Sequence, residues 1–363
     1  KGEKIRKILF YINSISHGGA ERVLVNLTNQ FSANGNEVCL VTSLTKQWEY
    51  PLSKQVCRIS LEEKDYKKAG FLQQNIKWTR KLRKIIREQS PDIVISFMAE
   101  PNFRAILATL GLKTKCMISV RNDPNKEYPN ALFRICAKVL YLFADGIVFQ
   151  TEDAKKWFSS LIQRKSEIIY NQVDRKFYDC PFHNEKRDIV TCGRLVEQKN
   201  QALLIEAFAK IANDVEDNLY IYGEGNLREK LENRINELHL NKRVYLPGNI
   251  SNVEKMLSQA ALFVLPSDYE GMPNALMEAM AVGVPCISTD CPCGGPLMLF
   301  KNNKEALVPV GDVAKMAEKM KDFLLNNEKR EEIGAKMKEY SLAFTPERIF
   351  KKWDEYVNEV LKN

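Results

Sequence analysis

PSDYEGMPNALMEAMAVGVP, running from Pro266 to Pro285, follows a short apolar run, Leu262 to Leu265, with the length and composition of a buried strand. A loop punctuated by Gly271 and Pro273 comes next, and Ala275 to Val282 then reads as a helix. Pro273 suits the first helical turn, where its missing N–H leaves nothing unsatisfied. The backbone N–H groups from Gly271 to Ala275 form a positive helix end suited to a phosphate. Two carboxylates bracket it: Glu270 before the helix and Glu278 in its second turn. One acid is placed beside the group nearest the phosphate, and the other reaches hydroxyls further along the same ligand.

The same strand, loop and helix alternation runs outward in both directions. In the second half, strands are expected at Ile189 to Cys192, Leu219 to Tyr222, Val244 to Leu246, Ala261 to Leu265 and Cys286 to Ser288. Helices fall near Gln201 to Asn213, Leu227 to Leu238 and Val253 to Gln259, and the chain is helical from Val313 onward, ending in Glu347 to Leu361. The first half opens with a β-branched strand at Ile8 to Ile12, a helix from about Ala20 to Ser32 and a strand at Val38 to Thr42. Further strands are expected at Val56 to Leu61, Asp92 to Phe97, Lys115 to Val120, Gly146 to Gln150 and Glu167 to Tyr170. The helices among them are Phe71 to Glu88, Pro101 to Leu110, Leu132 to Phe143 and Asp153 to Leu161. Such alternation implies parallel sheets covered on both faces. The pattern restarts after the turn-rich stretch Asp174 to Arg187, and 363 residues exceed one ordinary core. The fold class expected is therefore α/β, with two doubly wound Rossmann-like domains and a cleft between them, ligands binding beyond the carboxyl ends of the strands.

Composition narrows the partners. Residues 1 to 180 hold 30 Lys and Arg against 18 Asp and Glu, a balance of +12, while residues 181 to 363 hold 24 against 28, a balance of −4. The densest positive charge lies in Tyr66 to Ser90, where Lys67, Lys68, Lys77, Arg80, Lys81, Arg83, Lys84 and Arg87 face the single acid Glu88. A basic amphipathic helix of this kind either lies on an anionic membrane or packs its Leu and Ile face on a sheet. No nucleic-acid motif accompanies the charge, so nucleic acid is not expected as a partner. Nor does any apolar run reach the length of a membrane span, and no leader peptide is evident. Nine cysteines, scattered through apolar segments, favour free thiols in a reducing compartment. Cys291 and Cys293 are too close for an ordinary zinc pair, His17, His183 and His239 are scattered, and no Asp-x-Asp pair ends a strand. No metal site is expected.

Four further loops at strand ends carry phosphate or sugar chemistry. Ser16 to Arg22 places Gly18 and Gly19 at a helix start, where backbone N–H groups can approach an anion or simply make a tight turn. In Gly193-Arg194-Leu195-Val196-Glu197-Gln198-Lys199-Asn200, two cations follow a strand, and arginine can grip phosphate through two N–H groups. Tyr222-Gly223-Glu224-Gly225 and Leu246-Pro247-Gly248-Asn249-Ile250 are turns that either close against a flat base or merely connect.

Taken together, GRLVEQKN, YGEG, PGNI and the Glu270/Glu278 pair within EGMPNALME resemble the retaining glycosyltransferases of the two-domain GT-B fold, and HGGAERVLVNL is similar to the opening of bacterial members that build surface polysaccharides. The resemblance covers essentially the whole chain in order. It implies an N-terminal acceptor-side domain over 1–178, a nucleotide-sugar domain over 179–345, and a last helix, 346–363, returning onto the first. It further implies that Glu278 binds the donor ribose, that Glu270 binds donor-sugar hydroxyls, and that Gly271, Met272, Pro273 and Asn274 bring backbone amides to the sugar and distal phosphate. Arg194 and Lys199 would clamp the diphosphate beside Gly193. Gly223, Gly225, Asn249 and Ile250 would frame the base, and Gly18 with Gly19 would close over the phosphates. Where many members carry a histidine after a central N-domain strand, this chain has Arg121, which either binds donor sugar or acceptor phosphate or pairs with Asp123.

The activity implied is front-face transfer of a hexose or N-acetylhexosamine from a nucleotide sugar, UDP-linked by family usage. The acceptor would be a polyprenyl-diphosphate-linked or other saccharide, and the departing phosphate would assist its deprotonation. No cofactor is expected beyond the donor. The implied location is cytoplasmic, at the inner face of the plasma membrane. A sugar-nucleotide epimerase or a non-catalytic nucleotide-sugar-binding module are the competing readings.

Overall fold

A computed structural model describes residues 5–16, 18–62, 70–181 and 187–363. The chain divides into two compact units, the first comprising Lys1–Asn171 and Ile349–Asn363, the second Gln172–Arg348.

The first unit holds a seven-stranded parallel sheet: β1 (Lys7–Ile12), β2 (Glu37–Thr42), β3 (Cys57–Ser60), β4 (Ile93–Phe97), β5 (Lys115–Ser119), β6 (Gly146–Phe149) and β7 (Ser166–Ile168), in the order 3-2-1-4-5-6-7. The central strands are buried on both faces, which is why they read as unbroken apolar runs rather than alternating ones. Strand order reverses between β1 and β4, which pair through Ile8↔Ile93 and Phe10↔Ile95.

From Ile349 onward the C-terminal helix Pro346–Lys362 belongs to this unit. Its apolar residues recur at helical spacing, and Ile349, Trp353, Tyr356, Val357 and Val360 are all buried. Trp353 stacks on Phe97 at 5.6 Å, the Tyr356 hydroxyl accepts from the Ile147 N–H at 2.9 Å, and Arg6 pairs with Asp354 at 2.5 Å. Gly146 is small because Val360 sits over it: a Cβ there would lie 2.6 Å from the Val360 Cγ2.

The second unit is built on six parallel strands: β8 (Arg187–Cys192), β9 (Leu219–Tyr222), β10 (Val244–Gly248), β11 (Ala260–Leu265), β12 (Cys286–Thr289) and β13 (Leu307–Val308), in the order 10-9-8-11-12-13. Every residue of β11 is buried, and its neighbours are β8, through Leu262↔Ile189, and β12, through Val264↔Ile287. The order reverses at β8 and β11, so the loops leaving their carboxyl ends diverge and open a crevice between them.

Several sequence expectations differ in detail. Asp153 to Leu161 is not one helix but two short ones, Glu152–Lys156 and Ser160–Gln163, separated where Trp157 and Phe158 turn in to join an aromatic cluster with Tyr128. Strand β13 is only two residues long and gives no usable periodicity. Pro273 is not in the first helical turn but immediately before it, capping the helix Asn274–Val282 in an extended conformation. The short helix Arg175–Tyr178 goes with the second unit, where the Tyr178 hydroxyl donates to the Ser341 carbonyl at 2.8 Å. Lys67, Lys68, His17 and His183 lie outside the described residues.

Candidate active site

The loops leaving β8 and β11 are joined edge to edge. The Asp268 N–H donates to the Gln198 carbonyl at 2.9 Å, the Gln198 side-chain amide to the Tyr269 carbonyl at 2.9 Å, and the Asn200 amide to the Asp268 carboxylate at 2.6 Å. Asn200 adopts φ +42°, a left-handed conformation that Asn tolerates better than most residues, and its side chain also caps the helix Gln201–Ile211. This zip sets the spacing of the two groups that matter most. Lys199 Nζ, from the β8 loop, meets Glu270 Oε1, from the β11 loop, at 2.5 Å.

Glu270 is only 6% exposed, and the Ser267 hydroxyl also donates to Oε1, at 2.7 Å. A buried carboxyl group held by an ammonium and a hydroxyl is fixed in direction. Ser267 is itself tied to the next strand, its carbonyl accepting from the Thr289 hydroxyl at 2.5 Å. Beside the pair lies Cys291, whose thiol is pushed up to about 12, first by burial and then by the Glu270 carboxylate. Its chemistry is therefore that of a small apolar wall.

Arg194 stands at the head of the same loop. It is exposed, and its guanidinium donates to no described residue, while its carbonyl is held by the Gln201 amide at 2.9 Å. One cation is thus committed to Glu270 and another is uncommitted a few residues away. Glu278, in the second turn of the helix Asn274–Val282, is 6% exposed. Gly271, Met272 and Pro273 are buried in the loop ahead of that helix, and Asn274 is its first residue.

Gly223 and Gly225 have a structural reason that the sequence did not disclose. Gly223, at φ +133°, passes so close to the β8 loop that a Cβ would fall 2.0 Å from the Gly193 carbonyl oxygen. At Gly225 a Cβ would fall 2.2 Å from the Leu195 carbonyl oxygen. Their smallness lets the β9 turn nest against Gly193 to Leu195, where the Leu195 N–H donates to the Glu224 carbonyl at 3.0 Å. The Gly223 N–H donates in turn to the Gly248 carbonyl at 2.8 Å, continuing the chain of contacts into the β10 loop that carries Asn249 and Ile250. Asn249 is exposed, while Ile250 and Tyr222 line a groove of about 1040 Å³ with Asn252 and Lys255.

Gly18, Gly19 and Arg121 stand on the first unit. Gly18 precedes the helix Gly19–Ala33, and the Glu21 carboxylate folds back over it, 1.8 Å from where a Cβ would be. Arg121, after β5, is buried. It does not pair with Asp123, whose side chain instead caps the next short helix by accepting from the Asn125 N–H at 2.9 Å. The Arg121 guanidinium donates to Asn171 Oδ1 and, at 3.4 Å, to Ser119 Oγ, and lies 4.5 Å from the centre of the Phe97 ring. Burial pushes Arg121 down to about 9. Glu127, which the sequence reading passed over, accepts from the N–H groups of Arg121 and Asn122 at 3.3 and 3.2 Å, and burial pushes its carboxyl up to about 7. Only its position six residues after Arg121 hinted at this. Ser267, Asn200, Cys291 and Glu127 were likewise missed because each acts through a neighbour brought in by the fold.

Both units are thus all-parallel and doubly wound, and the second carries a fixed carboxylate, Glu270, and two cations, Arg194 and Lys199, on the loops at its switch point. Residues 17–177 match the Glycosyltransferase Family 4 model and residues 174–340 match Glycosyl transferases group 1, and the chain belongs to this glycosyltransferase family, with the GT-B fold. An uncharacterized glycosyltransferase of Methanocaldococcus jannaschii is 35% identical over 245 residues, covering 60% of either chain. A Campylobacter jejuni relative is 28% identical over 361 residues, covering 98% of this chain and 99% of that one. Its name describes an α-1,4-N-acetyl-D-galactosaminyltransferase acting on a GalNAc-containing diphosphoundecaprenol glycan. Among solved structures, Anabaena HepE in complex with UDP superposes with a TM-score of 0.83 at 17% identity, covering 97% of this chain and 100% of that one. Sucrose-phosphate synthase from Thermosynechococcus elongatus gives 0.83 at 17% identity, covering 98% and 100%.

Proposed function

We propose that this glycosyltransferase moves a hexose or N-acetylhexosamine from a UDP-linked donor to a lipid-linked or other saccharide acceptor during assembly of a bacterial surface glycan, with retention of anomeric configuration and without a metal or further cofactor. The observation that carries the proposal is the Lys199–Glu270 pair at the β8/β11 switch point, with the exposed Arg194 at the head of the same loop as Lys199. Transfer leaves a nucleoside diphosphate, and fixed cations stabilise the charge that develops on it. Lys199 and Arg194 take that part. Glu270, oriented by Ser267 and Lys199, accepts hydrogen bonds from donor-sugar hydroxyls, and Glu278 accepts from the ribose.

Neither carboxylate is assigned as a nucleophile, so the departing phosphate receives the acceptor proton in a front-face transfer. The names of the Campylobacter relatives support the diphosphoundecaprenol class of acceptor, and the UDP complex of HepE supports the choice of nucleotide. The basic helix Phe71–Gln89 suits adsorption to an anionic membrane holding such an acceptor.

The test is to supply the purified chain with a panel of UDP-sugars, with and without a diphosphate-linked saccharide, in the presence of a chelator. UDP release that requires the acceptor, survives chelation and yields an α-linked product from an α-linked donor is the expected result. Release that needs no acceptor, or an epimerised nucleotide sugar as product, would overturn it.

A further inference from the structure

The helix Ala131–Leu140 of the first unit has apolar side chains on both of its faces. Its inner face is satisfied: Phe133 lies 5.9 Å from Phe103, and the buried Tyr141 just beyond the helix packs on the same ring at 5.9 Å. The outer face repeats the pattern and stays exposed among the described residues. Leu132, Ile135 and Val139 follow one another a turn apart, and Leu142 and Phe143 extend the stripe through the next turn, each 40 to 67% exposed. Scattered single apolar residues need no explanation, but five in line do. From Pro129 to Ala144 there is no acidic residue, and the stripe is flanked by Arg134, which donates to the Tyr128 carbonyl at 3.1 Å, and by Lys138, 4.6 Å from the centre of the Trp157 ring, both exposed.

We propose that this stripe enters the apolar boundary of an anionic lipid bilayer and seats the first unit on the membrane. A second copy of the chain is the alternative occupant, and charge argues against it, because a symmetric contact would set Arg134 and Lys138 against their own counterparts in a half of the chain already carrying +12. A surface of anionic headgroups complements the same cations, and its interior takes the leucine, valine and phenylalanine side chains. The helix Phe71–Gln89, which packs on Ala99–Thr109, adds further charge on the same unit: its Arg83 donates to the Ala108 and Leu110 carbonyls at 2.9 and 2.7 Å, leaving Lys77, Arg80, Lys84 and Arg87 exposed. The stripe follows directly on the Arg121–Asn130 loop, so a membrane-seated acceptor would be presented next to Arg121. That last point rests on the lipid-linked acceptor proposed above.

The experiment floats the full chain with vesicles of phosphatidylglycerol and phosphatidylethanolamine, in the absence of donor and acceptor. Wild type is expected to float and to stay largely bound at about 1 M salt, where charge alone is screened. The Ile135→Asp/Val139→Asp double variant is expected to bind at least about tenfold more weakly, with an unchanged melting temperature because both positions are exposed. As a second readout, Phe143→Trp should add emission that brominated lipid quenches. Equal flotation of the double variant, release of wild type by salt, or a wild-type dimer that the double variant turns into a monomer would each overturn the proposal. Because no acceptor is present, failure here leaves the transfer reaction standing. Conversely, vesicle binding without transfer to any lipid-linked saccharide would leave the docking surface and remove the acceptor.

Discussion

Glu270 is 6% exposed, and Lys199 and Ser267 both reach its carboxylate. Replacing Lys199 by Met leaves that group buried and short of its cation, so two losses are expected together: about 1 to 3 kcal/mol of stability, read from denaturant unfolding, and about 10²-fold in kcat/KM. Glu270→Gln keeps the shape and should recover most of the stability but little of the activity. Glu127 gives a pH prediction of definite sign. Its folded carboxyl is raised from 4.5 to about 7, so the native state holds a proton that the unfolded chain has released between those values. Its contribution is fully present below about pH 4.5 and is lost as pH rises through 7. Glu127→Gln, which cannot ionise, should therefore flatten the fall in stability between pH 5 and 8, measured as melting temperature against pH. An unchanged slope would show that Glu127 does not titrate there.

At the scale of elements, the site depends on how closely loops approach one another. Gly223→Ala places a methyl group 2.0 Å from a backbone oxygen, in a conformation that L side chains rarely adopt, and neither atom can swing away. A destabilisation of at least about 2 kcal/mol is expected, with loss of nucleotide affinity by calorimetry as the β8 loop shifts. Gly295→Ala should act similarly from the other side, since its Cβ would fall 1.8 Å from the Gly271 carbonyl oxygen. Only Gly223 was legible in sequence as a turn residue. The function of both glycines as spacers between loops was not, because it is defined by strands that lie far apart in the chain. The basic helix Phe71–Gln89 divides in the same way: its charge and length are local properties, whereas the fold buries Trp78, Leu82 and Ile86 and leaves Leu72 and Ile76 exposed.

At the scale of the whole molecule, each unit carries its own sheet, and the last helix serves the first. Trp353, 1% exposed and stacked on Phe97, is the largest side chain that the helix Pro346–Lys362 contributes. Trp353→Ala should cost about 3 to 5 kcal/mol, and hydrogen exchange should report the loss in β4 and β6 rather than in β8 and β11. Uniform loss of protection across both units would contradict this assignment of the helix. Among the described residues no helix is long and apolar enough to cross a membrane.

The sequence by itself determined the alternation of strands and helices, the parallel character of both sheets and the family, because apolar periodicity, turn residues and short ordered motifs are local and survive inspection one segment at a time. It also placed Lys199 and Glu270 at strand ends. Only the tertiary structure decided that β8 and β11 are neighbours at which the strand order reverses, and so that this lysine and this glutamate, 71 positions apart, form one pair. It likewise decided that Arg121 is turned toward Asn171 and Phe97 and away from Asp123, and that one apolar face of Ala131–Leu140 is left over after the core is filled. The physical reason is common to all three: which groups meet is set by sheet order and by competition for buried space, and neither is a property of any one segment.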